Sequence, residues 1–459
     1  MSLNSDILHD VSHIHFVGIG GSGMSPLVEI LHTLGYTITG SDNNESDNIK
    51  RISQLERVSV QIGHRAENVN GAEMLVYTSA VSQDNPELIA AREAGIPLIE
   101  RAKLLGMISK RFSNTVAVAG THGKTTVTSM ISQILLEADK DPTLFIGGRL
   151  PLIQANGRAG QSDTMICEAC EFQNHYLEMQ PAISLILNVD ADHLEFFGDL
   201  DGVIRSFATF ASQTTGKIIY NADDANTCRA LADVPAEKLI SYSLTDAAEW
   251  HAVNAQINGA YGEYDLFCGD RMITHVRLGV PGVHNIANSV GAAAAATLCG
   301  ATPAEIADGL LHFRGAGRRF EILGEFGGVT VVDDYAHHPT EIQATLSTAK
   351  QMPFNRVWAV FQPFTFSRTA RLLDDFATAL SVADIAVVSD IMGSREVNTW
   401  NVYAEQITEQ MQNGIHIPDF KGITDYVVSH VQPGDLVVSM GGGDVYKCAR
   451  MIVAELEKK

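Results

Sequence analysis

Residues 116–130 read VAVAGTHGKTTVTSM. A β-branched run stops at Gly120, Lys124 sits between Gly123 and Thr125, and a helix-like stretch opens with two threonines. That order suits the capture of nucleotide phosphates. Backbone N–H groups of a strand-to-helix turn, with the helix dipole behind them, can wrap phosphate oxygens. The lysine would neutralise the β- and γ-phosphates, and the Thr125 hydroxyl would ligate Mg²⁺. The usual spacing wants a glycine at position 118; that residue is Val118, so the loop is a shortened variant starting at Gly120. On this reading Gly120, Thr121, His122, Gly123, Lys124, Thr125 and Thr126 line an ATP site. Mg²⁺ prefers an octahedral oxygen shell, so further ligands are needed. Glu168 ends the strand-like DTMICEA, and His193 follows another strand end in NVDADHLEFFG. Their plainer alternatives are a surface acid and a loop-capping histidine.

A second glycine turn lies nearer the N-terminus. In FVGIGGSGM, residues 16–24, Gly18, Gly20 and Gly23 fit G-x-G-x-x-G, and Asp42 follows at the end of the next strand-like run. Taken alone this is an NAD site, with Asp42 on a ribose hydroxyl. The glycines require only that a diphosphate approach the backbone closely, so a UDP-sugar fits equally well. A redox reading leaves Lys124 and Thr125 without work, and no hydride-transfer site follows later. A non-catalytic nucleotide-binding regulator is a third reading, opposed by the set Lys124, Thr125, Glu168 and His193. Two polar clusters, DDYAHHPTE at 333–341 and FQPFTFSRT at 361–369, also follow strand-like runs. They bring two adjacent histidines and an arginine to strand ends, where ligands gather.

The elements that must position these residues alternate between short β-rich runs and helical segments, the mark of parallel α/β sheets. Three blocks are expected: a Rossmann-like N-terminal domain over 1–106, a central P-loop ATPase domain over 107–318, and a Rossmann-like C-terminal domain over 319–459. A more antiparallel stretch is expected around 250–280. The chain has 459 residues and a net charge of −22. An acidic surface repels nucleic acid, so anions must be held by local devices. No apolar run is long enough to span a bilayer, and MSLNSDILHD lacks the basic-then-apolar pattern of a secretory signal. Six cysteines without framework spacing suggest free thiols in a reducing cytoplasm; the Cys167/Cys170 pair lies in an apolar run with no second pair, which argues against zinc. Oligomeric state, monomer or homodimer, is not legible here.

The ordered set FVGIGGSGM, SAVSQDNPE, GTHGKTT, HNIANSVGAAAA, FRGAGRRFE, DDYAHHPTE, FQPFTFSRT and GDLVVSMGGGDVYK resembles the Mur ligases of cell-wall synthesis, over nearly the whole chain. Within that family it is most similar to the member that adds L-alanine. The resemblance implies an ATP-dependent amide ligase acting through an acyl phosphate, with UDP-N-acetylmuramate on the N-terminal domain, ATP on the central one, and the C-terminal domain bringing the amino acid and closing the cleft. Two glycine turns would then serve two diphosphates. It further implies UDP-sugar contacts at Gly18, Gly20, Gly21, Ser22, Gly23, Met24, Ser41, Asp42 and Ser79. Lys124 would contact the γ-phosphate, with Thr125 and Glu168 on one Mg²⁺ and His193 on a second. His284, Asn285 and Asn288 would contact adenine or orient the site, Arg319 and Asp334 would reach the nucleotide, and Tyr335, His337 and Arg368 would surround the incoming alanine. Lys124, Glu168, His193 and Arg319 would carry catalysis. The stretch after His193 holds no lysine for carbamylation, as the alanine-adding member requires. Phe364 stands where that member usually has histidine, which keeps bulk but loses a donor and acceptor. A recycling ligase that attaches a preformed peptide is the alternative.

Overall fold

The structure is a computed structural model that describes residues 7–245, 247–394 and 396–458. Three sheets organise the chain. The first holds β1 (His13–Val17), β2 (Thr37–Asp42), β3 (Val58–Ile62), β4 (Met74–Tyr77) and β5 (Leu98–Glu100) in the order β3-β2-β1-β4-β5, every pair parallel. The order reverses between β1 and β4, so the turn after β1 lies where doubly wound sheets bind ligands.

The second sheet holds β6 (Asn114–Ala119), β7 (Thr143–Leu150), β8 (Ala155–Arg158), β9 (Thr164–Glu168), β10 (Ile183–Ile186), β11 (Lys217–Asn221), β12 (Leu239–Ser243), β13 (Trp250–Asn258), β14 (Tyr261–Cys268) and β15 (Arg271–Pro281). Its order is β15-β14-β13-β12-β11-β10-β6-β9-β7-β8. From β12 to β7 the pairs are parallel, and β8 returns antiparallel along β7. Two-residue links join β13 to β14 and β14 to β15. Only antiparallel neighbours allow so short a connection, which accounts for the different look of residues 250–280. The third sheet holds β16 (Glu321–Phe326), β17 (Val329–Asp334), β18 (Val357–Phe361), β19 (Ile385–Val388), β20 (Gly414–His416) and β21 (Leu436–Met440) in the order β16-β17-β21-β18-β19-β20. It is parallel except for the edge hairpin β16–β17.

Buried parallel strands read as unbroken apolar runs because helices cover both faces. In β18, Val357, Ala359 and Phe361 pack into one core and Trp358 and Val360 into the other, the two-residue period of a strand. In β1, Ile14 and Phe16 enter one core while Val17 enters a smaller one with Leu75 and Leu88. The larger core runs on through Ala117, Cys167 and Phe207, so the first two sheets share it. All six cysteines are free, and Cys167 is core.

The chain forms two compact units: residues 1–253, 265–276 and 287–313, and residues 254–264, 277–286 and 314–459. Among the described residues no helix is long and apolar enough to cross a membrane. Within the first unit, the helix Arg101–Ser109 lies against the segment Phe172–Glu178 through Gly106, where an added Cβ would overlap the Glu178 carbonyl. Gly106→Ala should therefore destabilise the first unit by about 1–3 kcal/mol. Urea denaturation checks this; unchanged stability would contradict the close approach.

Candidate active site

The loop 120–123 joins β6 to the helix Lys124–Glu137. Gly120 and Gly123 have φ of 147° and 86°, a region that L side chains rarely adopt, and a side chain at 123 would press on Asn288 and Leu187. The segment after β10 clasps the turn. The Asn188 side chain accepts from His122 N–H at 2.8 Å and donates to His122 O at 3.0 Å. Thr121 N–H donates to Asn188 O at 3.1 Å, and Asp190 N–H donates to the Thr121 hydroxyl at 2.9 Å. The His122 ring stands 3.3 Å from Asp190. Asn188 has no motif of its own in the sequence; its position just past a strand end is the signal that could have found it.

Lys124 Nζ donates to the carbonyls of Gly120 and Thr121 and pairs with Glu171 at 2.8 Å. Burial disfavours the ammonium most, but Glu171, through its charge and hydrogen bond, together with Cys170 and Glu168 outweighs it, so its pKa lies above the usual lysine value and the group stays charged. Beside it, the Thr125 hydroxyl lies 2.9 and 3.1 Å from the two oxygens of Glu168, and Gly147 N–H donates to the same carboxylate at 2.8 Å. A hydroxyl and a carboxylate converging on one point are hard oxygen donors of the kind Mg²⁺ takes. Thr126 continues the first helical turn, half-buried. His193 has φ 53°, with its ring nitrogens 3.7 Å from Asp192 and 3.5 Å from Glu195 and its ring against the edge of Phe172. The structure thus brings Gly123, Lys124, Thr125, Glu168 and Asn288 together and puts His193 in an acidic setting of its own.

The turn after β1 is braced from β2. Gly18 and Ile19 N–H donate to Ser41 O at 2.8 and 3.0 Å, and Gly20 N–H donates to Asp42 Oδ2 at 3.0 Å. Asp42 therefore supports the turn's own backbone. The Ser41 hydroxyl donates to Glu87 at 2.5 Å. Burial would push the Glu87 carboxyl up, but the neighbouring His15 ring, 3.6 Å away, and hydrogen bonds from Ser41 and Asn68 together outweigh it and hold its pKa at about 2. Asn156 of β8 donates to Ser22 O at 2.6 Å, which ties this turn to the second sheet. A Cβ at Gly21 would press on the Gly18 carbonyl at 3.3 Å, and Met24 is fully buried ahead of the helix Ser25–Thr33. The guanidinium of Arg101, absent from the sequence reading, lies over Gly23. Ser79 lines a polar cavity near Tyr77.

In the second unit, the end of β17 carries the next group. Buried Asp334 accepts from Phe320 N–H and Ala336 N–H, both at 2.7 Å. Burial raises its pKa to about 6 against the attraction of Arg319 and those two amides. Arg319 stacks over the Tyr335 ring at 5.1 Å, and His337 meets the same ring edge-on at 5.1 Å. Its neighbour Arg318 does the bracing, bonding Asp333 at 3.1 Å and the carbonyls of Gly441 and Gly443 at 2.8 and 3.3 Å. Arg368 sits on the short helix Phe366–Arg371 after β18. Phe364 and the Met392 sulfur both face Gly443. His284, exposed, opens the helix His284–Leu298, and the Asn285 amide donates to Pro281 O at 2.7 Å. Asn288, four residues on from His284, belongs to the first unit.

Comparison with known proteins matches these blocks in order. A Mur ligase family catalytic-domain model matches residues 13–113, a Mur ligase middle-domain model 118–296, and a Mur ligase glutamate ligase domain model 318–443. The UDP-N-acetylmuramate–L-alanine ligase of Acetivibrio thermocellus is 42% identical over 451 residues, covering 96% of each chain. The chain belongs to the Mur ligase family. The enzyme of the same name from Agathobacter rectalis is 43% identical over 441 residues, covering 94% of this Mur ligase and 96% of the relative. The crystal structure of the UDP-N-acetylmuramate–alanine ligase of Thermotoga maritima superposes with a TM-score of 0.83 at 26% identity, covering 97% of this chain and 99% of that one. A murein peptide ligase from Psychrobacter arcticus shares the fold, with a TM-score of 0.77 at 24% identity over 98% and 99% of the two chains.

Asp334 yields a pH test. Its folded pKa of about 6 lies above its ordinary 3.8, so its contribution to stability is full below the ordinary value and declines as pH rises through about 6. Between about pH 4 and 7 the wild type should lose stability relative to Asp334→Asn. Denaturation midpoints of both proteins across that range check it; a constant difference would contradict the burial assigned to this carboxyl.

Proposed function

We propose that this Mur ligase joins L-alanine to the lactyl carboxylate of UDP-N-acetylmuramate, with ATP cleaved to ADP and phosphate. Near full-length likeness to UDP-N-acetylmuramate–L-alanine ligases, at 42% identity to one of them, carries this reading. The turn at Lys124 supplies a physical basis for it.

A carboxylate is a poor electrophile, so it must be activated. A carboxylate oxygen forms a bond to the γ-phosphorus, the bridge to the β-phosphate breaks, and ADP leaves. The amine nitrogen of L-alanine then attacks the acyl carbon, and phosphate departs with the oxygen through which it was attached. Transfer between two anions demands charge neutralisation and alignment more than covalent help. Lys124, held charged by the acids around it, would neutralise the terminal phosphates, and the N–H groups of Gly123, Lys124 and Thr125 at the start of the helix would donate to the remaining oxygens. Thr125 and Glu168 would hold one Mg²⁺ and His193 a second, adding positive charge where phosphate oxygens gather. The turn after β1 would hold the UDP diphosphate, with Gly18, Gly20 and Gly23 allowing close approach. Asn285, Asn288 and His284 would serve the adenine side, and Arg319 and Asp334 the nucleotide. Tyr335, His337 and Arg368 would receive the amino acid. These substrates belong to the cytoplasm.

The test is phosphate release from ATP with UDP-N-acetylmuramate and a panel of acceptors. L-Alanine should support release, and omission of any one substrate should stop it. Release with a preformed tripeptide but not L-alanine would instead favour the recycling ligase. Lys124→Ala should lower turnover at least about a hundredfold in a protein that still folds by circular dichroism, with a lowered melting temperature because Glu171 loses its buried partner. Near wild-type turnover in that variant would remove Lys124 from the phosphate site.

A further inference from the structure

Where β4 and β5 end, a polar cavity of about 360 Å³ opens, lined by Tyr77, Ser79, Gln83, Glu100 and the stretch around His175. The chemistry above uses neither Glu100 nor His175. Arg101, next in the chain to Glu100, places its guanidinium over Gly23, where a Cβ would lie 3.2–3.4 Å from Arg101 Cδ, Nη1 and Nε. Its Nη2 lies 3.3 Å from His175 Nδ1. Arginine can only donate, so His175 Nδ1 is an acceptor and the one proton of the neutral ring sits on Nε2. Burial, then the charge of Arg101, hold the His175 pKa at about 4, so the ring is neutral near pH 7.

The Nε2–H points toward Glu100 Oε1 at 3.6 Å, too far for a hydrogen bond. Glu100 Oε1 is buried and has no hydrogen-bond partner among the described residues. Leaving such an oxygen unmet costs about 1–3 kcal/mol. The backbone just before His175 is also unusual. Gln173 and Asn174 both take left-handed conformations, φ 51° and 61°, at a cost of order 1 kcal/mol each. The Asn174 side-chain Oδ1 accepts from the Ser206 hydroxyl at 2.5 Å, which ties the turn to the helix Leu200–Gln213. A fixed donor and an unmet acceptor that do not bond each other define a slot for a group that both accepts and donates, which is a hydroxyl. The cation beside them faces the diphosphate turn.

We propose that Glu100, Arg101 and His175 form a clamp on the nucleotide-sugar, in which Arg101 neutralises the diphosphate at Gly23 and the Glu100 carboxylate with His175 Nε2–H grips a ring hydroxyl. The clamp rests on the reading of the first turn as a UDP site. The hydroxyl belongs either to the sugar or to the ribose, and both offer the same chemistry.

Isothermal titration calorimetry with UDP, UDP-N-acetylglucosamine and UDP-N-acetylmuramate separates the cases, using the wild-type chain, Arg101→Gln, Glu100→Gln and His175→Gln. Arg101→Gln should weaken all three ligands by about tenfold or more. Glu100→Gln should weaken the two sugar nucleotides about tenfold and spare UDP if the hydroxyl is the sugar's, and weaken all three alike if it is the ribose's. His175→Gln should follow Glu100→Gln and serves if that variant fails to fold. In steady state these variants should raise KM for the sugar nucleotide with little change in kcat, which a purely structural strut would not do. Wild-type affinity of both Glu100→Gln and His175→Gln for every ligand would overturn the clamp. A wild-type chain that binds none of the three would instead overturn the UDP reading of the first turn, and the clamp with it.

Discussion

A lysine serves a triphosphate only if the protein holds it charged and in place, and here it must do so on a chain of net charge −22. The pairing of Lys124 with Glu171 meets both demands at once. Burial alone would favour the neutral amine, and a free lysine chain would sample many rotamers. Two loop carbonyls and one carboxylate take its three protons, so the ammonium is held on the turn that carries it. The turn is itself clasped by Asn188 and Asp190 from the segment just after the neighbouring parallel strand. The order of strands in the second sheet, with β6 between β10 and β9, is what brings Asn188 and Glu168 to either side of it. Charge placement therefore depends on sheet topology.

The first turn is built on the same plan with different parts. Its amides are spent partly on Ser41 and Asp42, and β8 reaches it through Asn156. The shared core beneath the first two sheets gives these contacts a common support. The fully buried Glu87 behind Ser41 stays ionised because donors surround it, a polar network that is costly unless fully satisfied.

Much of the fold is legible in the sequence because parallel strands buried on both faces announce themselves as apolar runs and each glycine turn marks where one ends. β6 stops at Ala119 and its helix begins at Lys124, where the threonines begin. What is not legible is which distant side chain serves which loop. Glu171 lies 47 residues from Lys124 and Asn188 lies 66 from His122. Such pairs are set by strand order, which no local pattern states. Asp42 looks like a ribose ligand by spacing, yet its carboxylate also meets Gly20 N–H. Arg318 and Arg319 are indistinguishable in sequence, but φ of 59° at Arg318 turns its guanidinium onto the glycine carbonyls. Arg101 and His175 belong to no motif and become visible only as neighbours of Gly23 and of each other.

In the proposed reaction the Lys124 turn would present a terminal phosphate to a carboxylate tethered to uridine. Oxygen labelling tests it most directly. UDP-N-acetylmuramate carrying ¹⁸O in its lactyl carboxylate is turned over with ATP and L-alanine, and the released phosphate is weighed by mass spectrometry. Fully labelled carboxylate should place one labelled oxygen in each phosphate formed. Phosphate free of label, with one heavy atom kept in the amide and the other found in water, would contradict it.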